Sequence, residues 1–62
     1  MKINDWIYTP RFCGVRIERI FENREQAWKE GYKEPTHYHK DGYTILGKNI
    51  GVNRMTFAGV KE

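Results

Sequence analysis

The sequence predicts an α+β domain, a small and strongly bent antiparallel sheet or open barrel of about five short strands, with one short helix between the second and third. Three observations predict it. Aromatic and β-branched runs with a period of two are broken repeatedly by glycine and proline, only one stretch carries helix end signals, and the chain has 62 residues. That length allows a single domain spanning 1–62, which buries only about 60% of the surface its unfolded chain exposes.

The first strand is expected over residues 5–9, where Trp6, Ile7, Tyr8 and Thr9 precede Pro10, a residue that cannot donate to a central ladder. The second follows Gly14. Val15 and Ile17 alternate there with Arg16 and Glu18, and Ile20 and Phe21 then break the alternation, which predicts a bulge or burial on both faces.

The helix is expected over Arg24–Glu30. Asn23 is a good N-cap, Gln26 completes a capping-box-like pair, Glu25 complements the positive end, and Gly31 can take the left-handed stop. So short a helix is marginal alone, and Ala27, Trp28 and Tyr32 are expected to pin it to the sheet.

Beyond Pro35, Asp41 and Gly42 separate two β-prone runs, and this dipeptide favours a type I′ hairpin. The turn would pair Lys40 with Tyr43, His39 with Thr44, and Tyr38 with Ile45. A last strand over Met55–Val60 follows a turn at Gly51–Arg54. Trp6, Phe21, Trp28, Ile45 and Phe57 are expected in the core, and Tyr8, Tyr38 and Tyr43 on the surface, because a tyrosine tolerates a wet end.

Asp5-Trp-Ile-Tyr-Thr-Pro10 followed by Gly14-Val-Arg-Ile-Glu-Arg-Ile20 resembles the first two strands of SH3-like barrels, over less than a third of the chain. Some SH3-like groups bind peptides through exposed aromatics and others bind nucleic acid, so the resemblance implies a binding surface without choosing its ligand. Glu34-Pro-Thr-His37 and Gly47-Lys-Asn-Ile-Gly51 to Val60 look like segments of short, uncharacterised proteins of Firmicutes phages and integrative elements. That resemblance implies a mobile-element origin and carries no site residues.

Charged residues make up 31% of the chain with both signs interspersed, and the formal charge is +3. This fits a folded, mildly basic domain and falls short of the dense basic stripes of dedicated nucleic-acid binders. The lone Cys13 excludes an internal disulfide, no signal-peptide h-region follows Met1, and no apolar run approaches the roughly 20 residues that span a bilayer. A soluble protein of the reducing cytoplasm, not engaging membranes, is expected.

Chemistry finds little purchase. His37 and His39 would share one strand face at a separation compatible with a metal, but no further ligand stands at a recognisable spacing. They read as solvent-facing histidines and only weak metal candidates. Cys13 with a histidine is the minimum for a thiol enzyme, yet Cys13 between Phe12 and Gly14 reads as a packing thiol. The chain has no serine and no phosphate-cradling loop. No catalysis and no cofactor is expected.

The expected function is a non-enzymatic interaction module. Tyr8, Arg16, Tyr38, Lys40, Tyr43, Lys48 and Arg54 are its candidate partner-binding residues, forming an aromatic, mildly basic sheet face for a protein. Nucleic acid is the alternative partner, bound by stacking and phosphate contacts, and an exposed edge strand offers a route to self-association. Convergence of Arg16, Lys40, Lys48 and Arg54 on one face would favour nucleic acid, and their dispersal would favour protein.

Overall fold

A computed structural model of the protein describes residues 1–8 and 14–62, with the side chains at 34–38 outside that description. Its elements run β1 (Trp6–Ile7), β2 (Val15–Phe21), α1 (Arg24–Lys29), β3 (Glu34–Lys40), β4 (Tyr43–Gly51) and β5 (Arg54–Lys61). The strands form one curled half-barrel sheet in the order β1-β2-β5-β4-β3, with the single helix between the second and third strands. This is the expected small open barrel.

One ladder departs from the antiparallel rule. β1–β2, β3–β4 and β4–β5 are antiparallel, whereas β2 and β5 run parallel. Parallel neighbours need a long crossover, and here α1 together with the β3–β4 hairpin supplies it. Pro35 falls on edge strand β3, where a missing donor is tolerated.

The break in β2's alternation is a bulge. Ile17 lies opposite Phe57, but Arg19 lies opposite Ala58, so Glu18 is the extra residue. The insertion reverses which face each parity serves. Ahead of it, Val15 and Ile17 join Ile7, Ile45 and Phe57 in one buried cluster, with Met1 and Ile20 packed alongside. Beyond it, Phe21 enters the opposite cluster with Ala27, Tyr32, Leu46, Ala58 and Val60, on the face that carries the helix. The middle of the sheet is thus covered on both sides. Thr44–Gly47 and Phe57–Val60 are correspondingly buried in continuous runs.

The helix ends as its residues dictate. Asn23 is extended and its Oδ1 accepts from the Gln26 N–H at 3.0 Å. Gln26 Oε1 accepts from the Glu22 N–H at 3.3 Å, closing the box one residue earlier than the usual reciprocal pair. Gly31 takes φ 97°, and the Tyr32 N–H returns to the Ala27 carbonyl at 3.0 Å. Tyr32 then packs against Phe21, with ring centroids 5.6 Å apart.

Both central residues of the first hairpin have positive φ, 53° at Asp41 and 80° at Gly42, as a type I′ turn requires. Lys40 pairs with Tyr43 and His39 with Thr44 as expected. The register then shifts before Pro35 meets Leu46, and the expected Tyr38–Ile45 pair falls in that stretch. The second hairpin turns at Val52 and Asn53, with Asn53 left-handed at φ 55°.

Two expectations about the core are corrected. Trp6 is 59% exposed and Trp28 49% exposed, while Phe21, Ile45 and Phe57 are buried as expected. On β1, Ile7 takes the inward position, and its neighbours along a pleated strand must face the other way. On α1, Ala27 meets the sheet, and Trp28, turned about 100° from it, points aside. Ala27 and Tyr32 therefore do the pinning.

Candidate interaction surface

Trp6 opens edge strand β1 and Tyr8 directly follows it, two residues on, and both are exposed, Tyr8 by 70%. The backbone of Gly14 makes room for them. A Cβ there would stand 3.2 Å from the Tyr8 ring and 3.5 Å from the Trp6 ring. Trp6 lies opposite Arg16 in the β1–β2 ladder, on the side of the sheet away from buried Ile7 and Val15. Arg16 is not a free cation, because its guanidinium holds Glu18 Oε1 at 2.9 Å through Nε and 2.6 Å through the terminal nitrogen. Two rings and a neutralised polar pair thus form a mixed patch.

The remaining candidates do not join this patch. Lys40 sits beside the Asp41–Gly42 turn and Arg54 beside the Val52–Asn53 turn, at opposite ends of nine-residue β4. At about 3.3 Å per residue that separates them by roughly the length of the molecule. Lys48 lays its stem over Gly31 and its Nζ 5.4 Å from the centre of the Tyr32 ring. Tyr43 is half-buried, its ring beside Gly59 on the face away from the helix. The side chains of Tyr38 and His37, and the whole of Cys13, lie outside the described residues. Tyr8 and Arg16 are therefore together, and Lys40, Tyr43, Lys48 and Arg54 stand apart. Trp6 is the surface residue missed from sequence. Its signal was parity, since Tyr8 two residues on cannot face outward from a regular strand unless Trp6 does as well.

A second polar group closes the sheet at the C-terminal end of β5. His39 Nδ1 stands 2.5 Å from Glu62 Oε1 and 3.1 Å from Thr44 Oγ1, and the Thr44 hydroxyl donates to the same carboxylate oxygen. The Glu62 N–H also binds the Gly42 carbonyl at 2.8 Å. The Thr44 hydroxyl, followed by His39, holds the Glu62 carboxyl below the usual carboxylate range. One ring nitrogen serves both neighbours, whereas a nucleophile–base–acid relay uses one nitrogen for each. The cluster fastens Glu62 to the β3–β4 hairpin and satisfies Thr44, the one buried polar side chain among the described residues.

Among the described residues, no group of three or more His, Cys, Asp or Glu side chains could hold a metal ion, and no helix is long and apolar enough to cross a membrane. Shallow depressions mark the surface. One surrounds Trp28 with Glu25, Lys29 and Lys33, and another lies between Gly14 and the tip of the β4–β5 hairpin. Compared with known protein families, with curated proteins and with solved structures, the chain matches none.

Proposed function

We propose that this chain is a small, non-enzymatic interaction module of the cytoplasm that binds a protein partner through the outer face of β1 and β2. Trp6 and Tyr8 act as anchors, and the Arg16–Glu18 pair forms a polar rim. The observation that carries the reading is the exposure of two neighbouring rings, one on edge strand β1 and one just after it, seated on a glycine. Tryptophan, tyrosine and arginine are the residue types that concentrate binding energy in protein interfaces, and so thin a core would gain from burying a tryptophan that it leaves in water. The resemblance over 34–37 and 47–60 makes a mobile-element origin part of the same proposal.

The dispersal of the cations weighs against nucleic acid. A binder that tracks phosphates gains affinity with each one it neutralises. Here Arg16 already holds a carboxylate, Lys48 lies on a ring, and Lys40 and Arg54 occupy opposite ends.

The test is a photoactivatable cross-linker placed at Tyr8 in the native host. The expected result is one discrete protein adduct, whose purified partner binds the wild-type chain in calorimetry. Trp6→Ala with Tyr8→Ala should weaken that binding by on the order of tenfold or more, and Trp28→Ala, which removes an equally large exposed ring, should leave it unchanged. Absence of a protein adduct, combined with saturable and salt-sensitive shifts of the labelled protein by short DNA or RNA, would replace this reading with the nucleic-acid one.

A further inference from the structure

The net positive charge of this protein falls on one hairpin. Residues 42–61 contain Lys48, Arg54 and Lys61 and no acid, while the other eight cations and all eight acids cancel. The whole formal charge of +3 therefore resides on β4–β5. The tip of that hairpin is also apolar. Ile50, Val52 and Met55 are exposed there, Val52 by 91%. The register shift between Asn49 and Gly51 leaves Ile50 as the extra residue, and Asn49 Oδ1 secures it by accepting from the Gly51 N–H at 3.1 Å.

Beside the tip lies the depression lined by Gly14, Val15, Asn53, Arg54, Met55 and Phe57. Its lining mixes the apolar Val15, Met55 and Phe57 with Asn49 and Asn53, and Arg54 is exposed and forms no ion pair with any described residue. Gly14 borders both this depression and the seat of Trp6 and Tyr8, although Val15 and Phe57 belong to the opposite side of the sheet from Trp6.

We propose that this depression receives an acidic–apolar segment of a partner protein, with an aliphatic or aromatic side chain against Met55 and a carboxylate on the Arg54 guanidinium. The charge complementarity is specific to this end of the molecule, because no carboxylate of β4–β5 competes for Arg54, in contrast to Arg16 and its Glu18. Arginine offers a planar two-pronged donor for which a carboxylate is the matched acceptor. The inference rests on the reading of the chain as a protein-binding module and names the chemistry of what it binds.

The experiment titrates the isotope-labelled full chain with a set of acetylated, amidated hexapeptides that pair one aspartate or glutamate with one leucine, isoleucine or phenylalanine in either order. Counterparts carry asparagine or glutamine in place of the acid. Expected are saturable shifts at Gly14, Asn53, Arg54 and Met55 for at least one acidic peptide, weakened on the order of tenfold in the amide counterpart and in Arg54→Gln. Arg54 is exposed and unpaired among the described residues, so that variant keeps the fold, checked by its spectrum. Absence of saturable shifts across the set, equal binding of the amide peptides, or indifference to Arg54→Gln overturns the proposal. So does preferential shifting of the same residues by anionic vesicles or by duplex DNA. If the peptides fail while the Tyr8 cross-link and its loss in the Trp6/Tyr8 variant persist, the acidic–apolar assignment falls and the protein-binding reading stands.

Discussion

Truncating a buried isoleucine should harm this protein more than truncating its first tryptophan, the reverse of what residue size suggests. Ile17 is fully buried, lies opposite Phe57, and immediately precedes the β2 bulge. Removing its side chain beyond Cβ takes away transfer free energy and leaves a cavity, together worth about 2–5 kcal/mol. Trp6 is 59% exposed, so only about 100 Å² of a ring system that can bury up to roughly 250 Å² is at stake. At about 25 cal/mol per Å² that is an upper bound near 2.5 kcal/mol, reduced further because unfolded chains already bury some apolar surface. A core of this size supplies roughly 3–5 kcal/mol in total. Trp6→Ala should therefore remain folded in water, whereas Ile17→Ala should be largely unfolded at room temperature. Ile17→Val, costing about 0.5–1.5 kcal/mol, should fall between wild type and Ile17→Ala. Urea denaturation followed by far-ultraviolet circular dichroism measures all three without relying on the deleted fluorophore. A Trp6→Ala loss equal to or larger than that of Ile17→Ala would refute the assignment of strand parity on which the exposed aromatic patch depends.

Three further outcomes follow from local geometry. Gly31→Ala places a Cβ at φ 97° and 3.3 Å from the Lys48 stem, so the urea midpoint should drop by the equivalent of about 1–2 kcal/mol. Asn23→Ala removes the acceptor of the Gln26 N–H and should cost about 1 kcal/mol in the same assay. Glu62 has its folded pKa lowered, first by the Thr44 hydroxyl and then by His39, so its contribution is complete above the ordinary carboxylate range and is lost as pH falls through the folded value. Thermal melts of wild type and Glu62→Gln should accordingly differ most near neutrality and converge in acid, and parallel curves across that range would contradict the linkage.

Much of the fold was legible because its signals are local. Asn23, Gly31 and the Asp41–Gly42 turn each act within a few residues, and the structure uses them in those roles. The break in alternation at Ile20 and Phe21 was equally visible, since an inserted residue must disturb a period of two. The parallel pairing of β2 with β5 was not, because it depends on where α1 and the β3–β4 hairpin deliver the chain, a matter of tertiary packing rather than of any residue in either strand. The exposure of Trp28 was missed for a related reason. A helix of six residues presents one narrow stripe to a sheet, and Ala27 and Trp28 cannot both occupy it.

The surface was less legible because composition averages over what the fold separates. A formal charge of +3 spread over 62 residues describes a weakly basic protein, and neither an acidic partner nor an indifferent one follows from it. Topology changes the meaning of the same number. β2, α1 and β3 interleave acids with bases, so Arg16 meets Glu18 and Arg19 meets Glu30, and those charges cancel locally. β4 and β5 are neighbours in sequence and in the sheet, so their three cations share a hairpin that holds no acid, with Arg54 near its tip and Lys61 at the far end of β5. Salt screens exposed charges more than about 10 Å apart at ordinary ionic strength, so a partner at the hairpin tip senses Arg54 ahead of Lys61, which lies at the other end of β5. Net charge summed strand by strand, rather than over the whole chain, is thus the quantity that singles out this hairpin. The aromatic patch needed parity, the basic tip needed segmentation, and Gly14, which carries neither charge nor side chain, borders both.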